Sequence, residues 1–90
     1  MKIIKNIDLI TLPCKVCIST ENNQKIQEEL LKNNFRWAAG EKHFMYNVAC
    51  IFMHSNKTML YSSNAYTINT YEKESTIIEE NELMKYLGIL

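Results

Sequence analysis

Cys14 and Cys17 stand at the Cys-x-x-Cys spacing of redox dithiols and of half a zinc site. A redox pair of this kind needs a helix N-terminus beside it to lower the thiol pKa. Here Cys17 falls inside Lys15-Val16-Cys17-Ile18-Ser19-Thr20, whose β-branched residues read as a strand. Residues three apart in a strand point to opposite faces, so the two sulfurs should diverge. A zinc centre would require Cys14, Cys17 and Cys50 to converge with His43 or His54, and no second paired spacing supports that. No nucleophile motif surrounds either histidine. Gly40 and Gly88 are the two glycines, which excludes a Walker loop and a dinucleotide fingerprint. The carboxylates lack the paired, apolar setting that would tune them for acid–base work. The expectation is a protein that is not an enzyme and uses no metal or cofactor.

Binding chemistry has two candidate sources. Asn34-Phe35-Arg36-Trp37-Ala38-Ala39-Gly40 sets the single Trp beside a Phe and an Arg where a helix signal ends. Trp and Arg are enriched at binding hot spots. With Tyr46 and Tyr61, Arg36 and Trp37 could stack a base and hold a phosphate. The competing reading is structural: Phe35 and Trp37 close the core, and the Tyr residues form cross-strand pairs. The other source is charge. Net charge is zero, which argues against direct nucleic-acid binding by phosphate neutralisation. The balance hides an excess of three positive charges up to Tyr71 and of three negative charges beyond it. Glu72, Glu74, Glu79, Glu80 and Glu82 are therefore the candidate contacts to a basic partner surface.

The elements that must position these residues follow from periodicity. Pro13 marks the start of the first strand or an edge strand. From Glu21 to Asn34 the period becomes helical, with Ile26, Leu30 and Leu31 on one face. Glu21–Lys25, Lys25–Glu29 and Glu28–Lys32 are spaced for ion pairs on the other. Ser19 or Thr20 can cap the start, and Asn33-Asn34 tolerates a left-handed exit. Asn47 to His54 is apolar in both alternating sets, as expected of a central strand covered on both sides, the second cover being a partner subunit or this chain. Ser55-Asn56 predicts a turn into a strand over Lys57 to Ser62. Tyr66 to Tyr71 reads as another strand and Ser75 to Glu79 as a short one. A last helix capped by Asn81 runs through Leu87 and stops at Gly88. The fold class expected is α+β: β-α-β-β-β, one main helix packed on an antiparallel sheet, and a short C-terminal helix.

At 90 residues the chain has the length of one domain, with residues 1–13 as an arm or strand and 72–90 as an acidic segment. A core this small often gains stability by oligomerising, so a homo-oligomer is one expectation. Charges interrupt the apolar run of the first eight residues, which lacks the pattern of a signal peptide or membrane helix. A cytoplasmic location and reduced cysteines are expected from this.

Lys15 to Asn22, then Ile26-Gln27 through Leu30-Leu31, then Asn34 to Gly40 resembles small phage and prophage accessory proteins. In those, a first strand leads into a helix, an aromatic-x-Trp-x-x-Gly turn and a meander of strands. The resemblance extends from Lys15 to about Tyr71, and it matches Phe35, Trp37 and Gly40 as fold determinants. It implies a mobile-element protein of a class rich in non-enzymatic inhibitors of bacterial immunity. The leading expectation is thus an anti-CRISPR-like inhibitor that binds a host defence protein, such as a nucleic-acid-handling effector, in the bacterial cytoplasm. A sponge that sequesters a cyclic-nucleotide signal through Arg36, Trp37, Tyr46 and Tyr61 is the alternative. An oligomeric phage accessory protein without inhibitory role is the third reading.

Overall fold

The strongest local signal becomes the main helix, α1 (Thr20–Lys32), in a computed structural model that describes residues 6–71, 73 and 75–90. Ile26 and Leu30 are fully buried, and two polar residues, Asn23 and Gln27, are buried with them. On the outer face Lys32 reaches Glu29 at 3.4 Å and Gln24 reaches Glu28 at 2.8 Å, in place of the expected i,i+4 ion pairs. The exit is a Schellman turn. Phe35 N–H donates to Leu30 O and Asn34 N–H to Leu31 O, with Asn34 left-handed at φ 72°. Phe35 thereby returns to the core cluster that also holds Leu30.

The strands are β1 (Cys14–Cys17), β2 (Arg36–Trp37), β3 (Cys50–Met53), β4 (Thr58–Ser62) and β5 (Thr76–Ile78), in sheet order β2-β4-β3-β1-β5. A short helix, α2 (Glu80–Leu87), follows β5 and ends on left-handed Gly88. The α+β class, with its main helix and short C-terminal helix, is as the sequence implies. The sheet is mixed rather than antiparallel. β3 runs antiparallel to both β1 and β4, whereas β5 lies parallel to β1 and β2 parallel to β4. Only β3 and β4 are joined by a tight turn, which enforces the antiparallel sense; β2 and β5 reach the edges through long connections that leave the direction open.

Both helices cover one face. Cys14, Val16, Ile51, Met53, Met59, Trp37 and Ile78 pack there with Ile26 and Leu30 of α1 and Leu83, Met84 and Leu87 of α2. Ile7, in a 3-10 turn at Asn6–Leu9, is buried in the same cluster, so this part of the N-terminal segment is a docked turn rather than a strand.

The opposite face carries a second, smaller cluster of Cys50, Phe52 and Ile68. Ile68 belongs to a 3-10 helix at Ala65–Asn69, where the sequence predicts a strand over Tyr66 to Tyr71. The reason is local. The Asn64 side chain accepts from Tyr66 N–H at 2.9 Å, and its carbonyl accepts from Thr67 N–H and Oγ1, so a capped turn outcompetes the alternating pattern. That turn lays Tyr71 edge-on against Phe52, centroids 4.7 Å apart, and its carbonyl accepts from the buried Lys15 Nζ at 2.9 Å. The second side of β3 is thus covered from within the chain.

Candidate functional site

Of the five glutamates expected to face a partner, Glu72 and Glu74 lie outside the described residues. The other three surround the start of α2. Glu79 occupies the N-cap position and is exposed; Glu82, in the first turn, is exposed and borders a cleft of about 280 Å³ with Leu9, Lys85 and Tyr86. Glu80 is half-buried and turned inward. Its Oε1 accepts from Ser19 N–H at 2.6 Å and from Ser19 Oγ at 2.8 Å, linking the first turns of both helices. Ser19, the N-cap of α1, makes no side-chain cap bond of its own. Carboxylates in a first turn also complement the partial positive charge of a helix N-terminus. Part of the acidic excess thus does structural work.

Beside these glutamates lies a residue that sequence reasoning missed. Ile77 on edge strand β5 is 54% exposed, although Ile78 next to it is core. Ile77 and Glu79 are two apart in extended backbone, so they project from the same side. The Thr-Ile-Ile run reads equally well with either Ile inward; only the pairing of Ile78 with Val16 decides it.

The aromatic candidates divide between core and surface. In β2, Trp37 pairs with Met59 and Arg36 with Thr58, and strand alternation sends the two side chains to opposite faces. Trp37 is 3% exposed, its Nε1–H donates to the His43 carbonyl at 3.2 Å, and Tyr61 meets it edge-on at 5.4 Å. Arg36 is exposed and borders a cleft with Leu31, Asn34, Phe35 and Lys42. Tyr46, 77% exposed, rests edge-on against Phe44 at 4.8 Å. Trp37 and Tyr61 are brought together; Arg36 and Tyr46 do not join them. For a base to stack on Trp37, the indole would have to leave the core.

The Cys-x-x-Cys sulfurs diverge, as strand geometry requires. Cys14 is buried on the helix-covered face, and burial, reinforced by the charge of Glu82, pushes its thiol up to about 12. Cys17 turns to the other face, where its Sγ lies 3.8 Å from that of Cys50. Loss of solvent around the sulfur, then the bond to and charge of Cys50, push Cys17 up to about 11. Sequence spacing gave no sign of this pair, since the register of β1 against β3 is a tertiary property. Among the described residues, no three His, Cys, Asp or Glu are grouped to hold a metal ion. Nor is any helix among them long and apolar enough to cross a membrane. Comparisons with protein-family models, with curated proteins and with solved structures gave no match.

Proposed function

We propose that this chain is a non-enzymatic binder of a bacterial defence protein, an anti-CRISPR-like inhibitor of phage origin. The observation that carries the binding surface is exposed Ile77 on the sheet edge, flanked on its own side by exposed Glu79, with exposed Glu82 beyond the same edge on the helix-covered side. An apolar anchor inside a charged rim is the usual anatomy of a protein-binding patch. Carboxylates on the rim favour a partner whose surface is basic, as nucleic-acid-handling effectors are, and give fast association that weakens with salt. The phage setting rests on the resemblance of the Lys15 to Tyr71 stretch to small prophage proteins.

The test is inhibition of purified CRISPR effector nucleases by the full chain, beside the double variant Glu79→Lys/Glu82→Lys and the single variant Ile77→Asp. The wild type should block cleavage by one effector, with potency falling as salt rises, and both variants should lose the block while melting normally. Stabilisation by a cyclic nucleotide, unchanged in the charge-reversed variant, would overturn this reading in favour of a sponge.

A further inference from the structure

Cys17 and Cys50 face each other in register across β1 and β3, with their sulfurs 3.8 Å apart. Ile18 N–H donates to the Ala49 carbonyl, while the bond from His54 N–H to the Thr58 carbonyl shows that the even-numbered positions of β3 turn their backbone groups to β4 and not to β1. The neighbouring pair, Cys17 and Cys50, is therefore of the non-hydrogen-bonded kind, in which Cα atoms approach to about 4.5 Å. That falls inside the range of about 4.4–6.8 Å that a disulfide spans. We propose that Cys17 and Cys50 form a modification site, an exchange-active dithiol that reacts with a low-molecular-weight disulfide and closes into a cross-strand disulfide.

Burial assigns the roles. Cys17 is exposed and Cys50 buried, so an incoming disulfide meets Cys17 first. The Cys17 thiolate attacks one sulfur of the small disulfide, whose bond breaks; one thiolate leaves and takes up the proton that Cys17 lost. Cys50, already beside Cys17, then attacks the Cys17 sulfur and expels the second small thiol, which takes the proton of Cys50. The two protein thiols are oxidised by two electrons, and the small disulfide is reduced to two thiols. Cys14 takes no part, because it is buried on the opposite face of the sheet.

Two consequences follow from the neighbourhood. With Cys17 pushed up to about 11, thiolate is scarce at neutral pH, so exchange should quicken roughly tenfold per pH unit below that value. Cys50 Sγ also lies 3.7 Å from the Asn64 carbonyl and 3.6 Å from that of Ala65, where the 3-10 helix begins. Oxidation removes the thiol hydrogen from that spot, so closure of the pair should be felt by the segment that covers the second face of β3.

The experiment treats the reduced full chain with glutathione disulfide at about pH 9, following intact mass, peptide maps and melting. The wild type should lose two hydrogens, map a Cys17–Cys50 link and melt about 10 °C higher until a reductant restores it. Cys50→Ser should stop at a glutathione adduct on Cys17, Cys17→Ser should take up no adduct while folded, and Cys14→Ser should behave as wild type. A wild-type chain that accumulates the Cys17 adduct, links through Cys14, forms covalent dimers or stays unreacted would overturn the proposal.

Discussion

The side-chain amide of Gln27 pairs with the backbone of Met45 in both directions. Nε2 donates to the Met45 carbonyl at 2.9 Å, and Oε1 accepts from Met45 N–H at 2.8 Å. Nε2 also donates to Asn23 Oδ1 at 2.6 Å. A fully buried glutamine on α1 therefore acts as a strand substitute for the connection between β2 and β3, which lacks a ladder of its own. Gln27→Ala would leave both Met45 groups and Asn23 without their partner. The expected loss is about 2–4 kcal/mol, read from urea unfolding, with faster hydrogen exchange at Met45. Exposed Gln24→Ala on the same helix should stay within about 0.5 kcal/mol of wild type.

Glu80 joins the two helix starts through Ser19. Glu80→Ala should cost about 1–2 kcal/mol, the range for a lost cap at a partly buried site. Glu79→Ala, one residue earlier and exposed, should cost much less. Equal effects of the two substitutions in thermal melts would show that the bond to Ser19 contributes nothing.

Both helices end on a left-handed residue, and the two ends respond differently to alanine and glycine. At Gly88, φ 76°, an added Cβ would meet nothing within 4 Å, so Gly88→Ala measures backbone strain alone, about 1 kcal/mol. Asn34, φ 72°, already carries part of that strain, so Asn34→Gly should be neutral or gain up to about 1 kcal/mol, whereas Asn34→Ala should lose stability. Chemical denaturation of the three variants checks the order.

Cys14 makes the fold sensitive to alkali. Its thiol ordinarily titrates at 9.0 and is pushed up to about 12 in the folded chain. Below pH 9 both states hold the proton and the contribution of the buried thiol is intact. As pH rises from about 9 towards about 12, the unfolded chain releases the proton first, so stability falls. The slope for this one thiol approaches about 1.4 kcal/mol per pH unit. Cys14→Ala, compared with wild type by urea unfolding at successive pH values, should remove that slope while costing some stability at neutral pH. An unchanged slope in the variant would assign the alkaline loss to other groups.

Local chemistry alone specified α1, its Asn34 exit, the turn into β4 and the stop at Gly88, because caps, periodicity and turn residues act within a few positions. The same logic foresaw that the Cys14 and Cys17 sulfurs point apart. It failed over Tyr66 to Tyr71, where the Asn64 cap competes with an alternating pattern that looks like a strand. It also gave no sign that Gln27, on a helix flanked by charged residues, is one of the polar residues held inside.

What only the tertiary structure decided are the relations between distant segments. Strand direction at the two edges, the choice of Ile77 rather than Ile78 as the exposed side chain, and the meeting of Cys17 with Cys50 all depend on register across the sheet. Register is set by how two helices and a five-stranded sheet jointly bury their apolar faces. The separation of Arg36 from Trp37 belongs to the same class. Adjacent residues that look like one recognition surface become, once β2 pairs with β4, one core side chain and one solvent-facing cation. Composition determined the size of the core and the charge of the tail. Pairing across the sheet determined which of those residues face solvent.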